Sequence, residues 1–307
     1  MIDQAAAFSE LTETALIRAS GADARAFLHA QLTSDVAGLP VPRTQYAGYC
    51  SAKGRLLATF LVWSLDEGLL LQLPRSLAED VRARLAKYVM RSKVTLEITS
   101  DYACFGLHGA DAHAAWAGVP HGVHAVTSNA RVLATRLTGE RFVILAPAPD
   151  ARAVRESLAS RAQEEPQRAW EKLDIEQGIP VITPVTQEQY VPQMVNLDLI
   201  GAVSYSKGCY PGQEIVARTH YLGRLKQRMY AVRAPAALQA GDPIYSAAFG
   251  AEQASGTIVN TVPEGDGGGS TALAVIQTAA VASADLHWKT IDGPALELLP
   301  PPYPIPE

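Results

Sequence analysis

The chain has 307 residues, 48% of them hydrophobic and 19% charged, which is enough to bury a substantial core in one large domain or two smaller ones. A formal net charge of −5 excludes a surface that is basic throughout, so contact with a nucleic acid would need a local basic patch. Three widely spaced cysteines without a C-x-x-C pair argue against a disulfide framework and against a structural zinc site. No apolar run reaches the length of a membrane span and the N-terminus does not resemble a signal peptide, so we expect a cytoplasmic protein that contacts no membrane.

In chain order, the first half of the sequence predicts strands that alternate with amphipathic helices. A strand at 15–21 precedes a helix at 22–32 that points Phe27 inward, and 45–63 reads as two strands around a turn at Lys53 and Gly54. Ser76 and Glu79 then have the spacing of a capping box at the start of a helix. Its apolar stripe is Leu77, Val81, Leu85 and Val89. With two more strand and helix groups between 93 and 160, the pattern indicates an α+β fold with an antiparallel sheet.

The pattern changes after residue 224. Short strands separated by Gly and Pro turns predict a small β-barrel, and the Pro-rich end predicts an extended tail on the surface. The glycine-rich stretch 265–270 does not match a phosphate-binding loop and is interpreted as a hairpin loop. A histidine-rich stretch at 108–124 lacks metal-ligand spacing, so we expect a polar loop and no metal site.

The segment 207–214, with the sequence KGCYPGQE, carries more chemistry than a surface turn needs. Cys209 precedes a helix predicted to run to Gly223, and Lys207 is two residues away. A helix N-terminus and a cation both favour a thiolate over a thiol, so Cys209 is a candidate reactive group. The alternative is a buried, inert cysteine, because free cysteines are among the most buried residue types.

This segment resembles the K-G-C-Y-x-G-Q-E signature of the YgfZ family, the folate-binding relatives of the glycine-cleavage T-protein. The matching residues are Lys207, Gly208, Cys209, Tyr210, Gly212, Gln213 and Glu214. Further stretches match in order at 21–36, 52–56, 170–182 and 191–218, so the resemblance covers nearly the whole chain.

The resemblance implies a T-protein-like (aminomethyltransferase-like) α+β body with a ferredoxin-like part at 1–224, followed by a small β-barrel and a Pro-rich tail at 225–307. It also implies that tetrahydrofolate or a derivative is bound, and that the protein acts in the assembly or repair of iron–sulfur enzymes. Iron–sulfur client proteins would then be its partners, and tRNA modification would be affected indirectly, with weak tRNA binding at most.

The resemblance further points to folate-contacting residues. Glu176 matches the family's pterin-contacting glutamate, since a carboxylate can grip the donor edge of a pterin with paired hydrogen bonds. Gln193 and Asn196 are candidate secondary contacts. The basic residues Arg218, Arg224, Lys226 and Arg228 are a candidate mouth for an anionic folate tail. The alternatives are an ordinary surface glutamate, two turn residues and a solvated basic face.

One departure from the T-protein limits the reaction. That enzyme carries an aspartate pair after its glycine turn, whereas alignment on Gly54 puts Ala58 and Thr59 at those positions. Because neither side chain can act as a general base, a true glycine-cleavage aminomethyltransferase is disfavoured and Cys209 becomes the candidate centre of function.

Three hypotheses about function stay open at this point. Cys209 acts as a nucleophile or an iron or sulfur ligand beside bound folate, in a transferase-like factor. Alternatively, the chain is a non-catalytic, folate-sensing chaperone whose thiol contacts partners. The weakest hypothesis is direct RNA binding through the basic residues at 218–228, which the acidic overall charge opposes.

Overall fold

The computed structural model describes residues 5–221, 225–265 and 267–306, and these residues form three β-sheets with short helices. The strands, in chain order, are β1 (Ala7–Glu10), β2 (Thr14–Ser20), β3 (Arg43–Cys50), β4 (Leu56–Leu65), β5 (Gly68–Pro74), β6 (Thr95–Thr99), β7 (Tyr102–His108), β8 (Val126–Asn129), β9 (Val132–Leu137), β10 (Arg141–Pro147), β11 (Gln163–Glu164), β12 (Gln227–Ala234), β13 (Pro243–Tyr245), β14 (Gly256–Glu264), β15 (Gly269–Gln277), β16 (His287–Trp288) and β17 (Glu297–Leu298).

The helices are short. In chain order they are α1 (Ala24–Gln31), α2 (Arg75–Ala86), α3 (Ala112–Ala115), α4 (Ala151–Ala159), α5 (Gln167–Glu176), α6 (Gln213–Tyr221) and α7 (Thr278–Ser283), with 3₁₀ turns at Ala148–Asp150 and Pro192–Val195. Within the described ranges, none of these helices combines the length and the apolar character needed to cross a bilayer.

Two compact units divide the chain, and each is built from discontinuous segments. The first contains Met1–His29, Asp35–Gln45 and Phe60–Trp170. The second contains Ala30–Ser34, Tyr46–Thr59 and Glu171–Glu307. The expected domain boundary after Arg224 falls at 222–224, outside the described residues. All the residues expected to form the functional site belong to the second unit.

The first unit contains a six-stranded sheet in the order β11-β1-β7-β10-β9-β8. β10 pairs with both β7 and β9, and every one of its residues is buried, which accounts for its continuous apolar sequence FVILA. Val154 and Leu158 are one helical turn apart on α4, and both are buried in the same core as Phe8 and Phe105. The pairing is antiparallel except between β1 and β11, which are parallel.

A five-stranded sheet in the order β3-β4-β5-β2-β6 confirms the two strands expected around the turn at Lys53 and Gly54. The helix expected after it is present as α2, but the capping box is wrong. Pro74 occupies the N-cap position, and no side chain in the described part of the chain caps the helix. Glu79 instead accepts hydrogen bonds from Arg82, because residues three apart lie on one helix face.

The second unit contains a curled antiparallel sheet in the order β16-β13-β14-β15-β12-β17, which forms a half-barrel where the sequence predicts a small β-barrel. Val232, Ile244, Ile258 and Ile276 are fully buried in its core. Glycines and prolines interrupt the short strands, as the sequence predicts. The Pro-rich tail contributes the side chain of Tyr303 to the packed structure, where its hydroxyl donates to the carbonyl of Gly178 at 2.8 Å.

Candidate functional site

The segment 207–214, called here the signature loop, folds back on itself before helix α6. The helix begins at Gln213, four residues after Cys209. The main-chain N–H of Gln213 donates to the carbonyl of Tyr210 at 3.1 Å, and the side-chain Nε2 of Gln213 donates to the carbonyl of Lys207 at 3.4 Å. These two bonds close the loop around Cys209.

Lys207 anchors the start of the loop on a distant segment of the chain. Its Nζ donates to the carbonyls of Leu32 at 2.6 Å and Ser34 at 3.2 Å, which follow α1. The ammonium also lies 5.0 Å from the ring centroid of Tyr210. With these contacts, Lys207 holds the loop in place. Its ammonium is a charged donor, and hydrogen bonds from a charged donor are stronger than those between neutral groups.

Tyr210 anchors the middle of the signature loop through its buried side chain. Its side chain is 6% exposed, and its hydroxyl has no hydrogen-bond partner among the described residues. Burial, together with the neighbouring Cys50 and Tyr205, raises the pKa of the Tyr210 phenol. Tyr210 therefore acts as a neutral, packed side chain at physiological pH.

Gly212 anchors the end of the loop by direct backbone contact. A Cβ placed on Gly212 would lie 2.5 Å from the carbonyl oxygen of Ser51 and 2.6 Å from the Cα and N of Gly54. Gly212 also has a positive φ of 80°, which favours glycine. The turn at Lys53 and Gly54 is therefore the platform on which the signature loop rests.

This anchoring leaves the thiol of Cys209 at the surface. Cys209 is exposed, whereas Cys50 and Cys104 are buried, and burial raises the pKa of each of those two thiols to about 12. Cys50 and Cys104 are therefore packed as apolar side chains in the core. Gly208 and Glu214 are exposed beside Cys209, while Lys207 and Tyr210 point inward.

A second group of expected residues forms a polar network. Arg228, on β12, binds Asp198 with two hydrogen bonds of 2.7 and 3.0 Å, and its Nη1 donates to the carbonyl of Gln193 at 2.8 Å. Only about a tenth of each charged side chain of this pair is exposed. Since Asp198 compensates the charge of Arg228, the pair fixes the 3₁₀ turn that carries Gln193.

Gln193 is the second residue of this 3₁₀ turn and Asn196 follows its last residue; they are 2% and 1% exposed. The amide oxygens, Oε1 of Gln193 and Oδ1 of Asn196, are buried and have no hydrogen-bond partner within the described ranges. An unmade hydrogen bond of this kind costs about 1–3 kcal/mol. The network therefore contains two buried acceptors whose hydrogen-bonding capacity the described residues leave unused.

The remaining expected residues lie outside this network. Glu176 is the last residue of α5, is exposed, and lies 4.0 Å from the Nζ of Lys172. Of the expected basic mouth, Arg218 and Lys226 are exposed, and Arg224 lies outside the described residues. Glu176 is nevertheless two residues before Gly178, whose carbonyl accepts from Tyr303, and the Tyr303 hydroxyl accepts from Asn196 Nδ2 at 3.4 Å.

Comparison with known proteins places these features in a family. The GCVT N-terminal domain family matches residues 1–122. The tRNA-modifying protein YgfZ of Sodalis glossinidius is 32% identical over 97% of this chain and 93% of its own length. The protein of the same name from Yersinia pestis is 35% identical over 74% of this chain and 72% of its own. The chain belongs to the YgfZ family.

The fold of this YgfZ-family chain is that of the T-protein. The crystal structure of the glycine cleavage system aminomethyltransferase T from Bartonella henselae superposes with a TM-score of 0.78, covering 98% of this chain and 87% of that one at 18% sequence identity. At this identity the likeness establishes the fold alone.

Ala58 and Thr59 occupy the two positions at which this chain was expected to depart from the T-protein. Ala58 is fully buried, and Thr59 is 9% exposed with its hydroxyl already engaged. The Thr59 Oγ1 donates to the carbonyl of Pro180 at 3.1 Å and accepts from the N–H of Ile182 at 3.2 Å. Both side chains are therefore structural. Across the described ranges, no cluster of three or more His, Cys, Asp or Glu side chains has an arrangement that would hold a metal ion.

Three members of the polar network were missed by the sequence reasoning: Asp198, Tyr205 and Tyr303. Asp198 and Tyr205 lie within the family-like stretch 191–218, so their closeness to Gln193 in the sequence could have indicated them as members of the network. Tyr303 offered none, since it is an aromatic residue in a Pro-rich tail, 107 residues from Asn196.

Proposed function

We propose that this protein binds a reduced folate and acts in the assembly or repair of iron–sulfur enzymes, with Cys209 as the functional thiol. Through such an enzyme it would influence tRNA modification indirectly. Membership of a family whose curated relatives are named tRNA-modifying proteins supports the link to tRNA modification. The match to the GCVT N-terminal domain supports a folate-related role.

The presentation of Cys209 is the observation that carries the proposal. Lys207, Tyr210 and Gly212 anchor the signature loop, and Cys209, the nucleophilic residue of that loop, is exposed. A cysteine that served only packing would be buried, as Cys50 and Cys104 are. The proposed roles of Cys209 are attack on a bound substrate, ligation of iron or sulfur, or contact with a client protein.

The residues present fit a reduced folate. No described residue donates a hydrogen bond to the buried amide oxygens of Gln193 and Asn196, and a pterin ring supplies N–H donors. Glu176 would grip the pterin edge, Arg228 would fix the turn that carries Gln193, and the exposed Arg218 and Lys226 would face an anionic tail. Tetrahydrofolate chemistry, when the group is bound, supplies one-carbon transfer. This chain's own residues bind and orient it.

Complementation in a bacterial strain that lacks its own YgfZ-family protein tests the role of the thiol. Cys209→Ala should lose the restoration of tRNA modification, whereas Ser206→Ala, an exposed neighbour without a thiol, should retain it. Unfolding by urea serves as the folding control for both variants. A folded and fully active Cys209→Ala protein would remove the thiol from the proposal.

Calorimetry with tetrahydrofolate tests the ligand. Losing a charge-assisted contact costs about 1.5–3 kcal/mol, so Glu176→Gln should weaken binding roughly 10- to 150-fold. Unchanged affinity would place Glu176 outside the site. If the client or folate derivative is converted over many turnovers, the protein is a transferase-like enzyme. Stoichiometric effects would identify a folate-sensing chaperone.

Binding to purified tRNA tests whether the effect on tRNA is indirect. We expect weak binding that falls steeply with salt, as binding through phosphate contacts alone does. Tight binding at physiological salt that distinguishes one tRNA from another would show direct recognition instead.

A further inference from the structure

The side-chain amide of Gln193 is held in one orientation by two acceptors. Its Nε2 donates to the main-chain carbonyl of Val216 at 2.7 Å and to the hydroxyl of Tyr205 at 3.2 Å. An amide nitrogen carries two hydrogens and no available lone pair, so these two bonds use its whole donor capacity. The oxygen Oε1 is consequently the atom for which the described residues supply no partner.

The side-chain amide of Asn196, which follows the last residue of the 3₁₀ turn, repeats this arrangement. Its Nδ2 donates to the main-chain carbonyl of Met229 at 2.8 Å and to the hydroxyl of Tyr303 at 3.4 Å. Its Oδ1 is buried without a partner in the described part of the chain. In both amides, therefore, one backbone carbonyl and one tyrosine hydroxyl hold the nitrogen, and the oxygen is left over.

We infer that Tyr205 and Tyr303 are positioning residues of the folate site, and that they hold the Gln193 and Asn196 amides with their oxygens free to accept hydrogen bonds from the N–H groups of the pterin ring, including the amino hydrogen that Glu176 leaves free. The inference rests on the proposed function. It fixes which atom of each amide faces the ligand. Because that atom is the oxygen, the site accepts hydrogen bonds from the ligand and selects a heterocycle that presents N–H donors.

The chemistry of the two phenols suits this role. Burial raises the pKa of Tyr205 and of Tyr303 to about 12, and the nearby charge of Asp198 acts in the same direction on both. Each phenol therefore keeps its proton near neutral pH. The Tyr303 O–H donates to the carbonyl of Gly178, which directs an oxygen lone pair of Tyr303 at the Asn196 nitrogen.

The position of Tyr303 also ties together two candidate contacts. Gly178 follows α5, whose last residue is Glu176, and Asn196 ends the 3₁₀ turn. The Tyr303 hydroxyl is bonded to both segments and so sets the spacing between Glu176 and Asn196. The Glu176 carboxylate is expected to contact one edge of the pterin ring, and the Asn196 oxygen is expected to accept a hydrogen bond from that ring. The Pro-rich tail is thus part of the binding site through one side chain.

Titration calorimetry with two probes tests the inference. The probes are tetrahydrofolate and an analogue in which the ring amino group is replaced by methyl. Tyr303→Phe and Tyr205→Phe each remove one orienting hydroxyl and keep the ring, so each should weaken tetrahydrofolate binding about fivefold. The weakening should be smaller for the methyl analogue, because that ligand lacks the amino donor to the oriented oxygens.

Tyr245→Phe is the matched control, since Tyr245 lies on β13 of the same unit and is not part of the polar network. Two results would overturn the inference and leave the proposed function standing: unchanged tetrahydrofolate affinity in both tyrosine variants, or equal weakening for both probes, which marks a general structural effect. Wild-type protein that does not bind tetrahydrofolate would refute the folate proposal and this inference together. If one variant fails to fold, as judged by its urea midpoint, the other decides the question.

Discussion

Replacing Gly212 with alanine tests whether the turn at Lys53 and Gly54 is the platform of the signature loop. At a φ of 80° an alanine costs about 1–2 kcal/mol in backbone conformation alone. Its methyl group would also lie 2.5 Å from the Ser51 carbonyl oxygen and 2.6 Å from two backbone atoms of Gly54. Overpacking of this kind costs about 1–3 kcal/mol, because backbone cannot move aside as a flexible side chain does.

Gly201→Ala is the matched control for this experiment. Gly201 has a φ of 74°, close to that of Gly212, but a Cβ placed on it meets no atom of the described residues within 4 Å. The control should lose only the conformational part, about 1–2 kcal/mol, whereas Gly212→Ala should lose about 2–5 kcal/mol in total. The difference between the two variants isolates the contact with the turn.

Two measurements decide the outcome. Urea unfolding gives the free energy of unfolding of each variant, and the rate at which iodoacetamide labels Cys209 in the native protein reports the loop. We expect the labelling rate to change severalfold in Gly212→Ala and to stay at the wild-type value in Gly201→Ala. Equal losses of stability in the two variants, with equal labelling rates, would refute the hypothesis that the turn at Lys53 and Gly54 supports the signature loop.

The other predictions concern a cation, the thiols and a histidine. Lys207→Met should lower the free energy of unfolding by about 1.5–3 kcal/mol, since it removes a charged donor from two main-chain carbonyls, and Lys207→Arg should recover part of the loss in urea unfolding. Alkylation near neutral pH followed by peptide mapping should label Cys209 well before the two buried cysteines, and saturating tetrahydrofolate should slow that labelling. Equal rates at the three thiols would contradict the burial pattern. Burial, with a contribution from Arg43, lowers the pKa of His124 from 6.5 to about 4. Between these two pH values the unfolded chain binds more protons at His124 than the folded protein does. The free energy of unfolding should therefore fall as the pH drops from 6.5 to about 4. His124→Gln should flatten this slope, and an unchanged slope would show that other groups produce it.

Local sequence patterns predicted the parts of the fold that depend on near neighbours. The strands on either side of Lys53 and Gly54 were expected from apolar runs and a glycine turn, and they are present as β3 and β4. The capping box at Ser76 and Glu79 failed because Glu79 has a nearer partner in Arg82 on the same helix face. Two favourable local arrangements competed there, and spacing alone does not rank them.

The candidate site depends on contacts between residues far apart in the chain, so sequence patterns revealed its members but not their arrangement. Lys207 was expected to favour a thiolate at Cys209 through its charge. The structure shows its ammonium bonded to the carbonyls of Leu32 and Ser34, a contact that periodicity does not encode. Arg228 was expected at a basic mouth, and its partner Asp198 is 30 residues away.

The bond between Lys207 and Leu32 has a consequence for how the protein is made. The two residues are 175 positions apart, so at a synthesis rate of about 5–20 residues per second the carbonyl emerges from the ribosome roughly 9–35 s before its partner. During that interval the segment after α1 and the turn at Lys53 and Gly54 have no signature loop to cover them. The surface that presents the thiol is therefore assembled late in translation, after most of the chain has been synthesised.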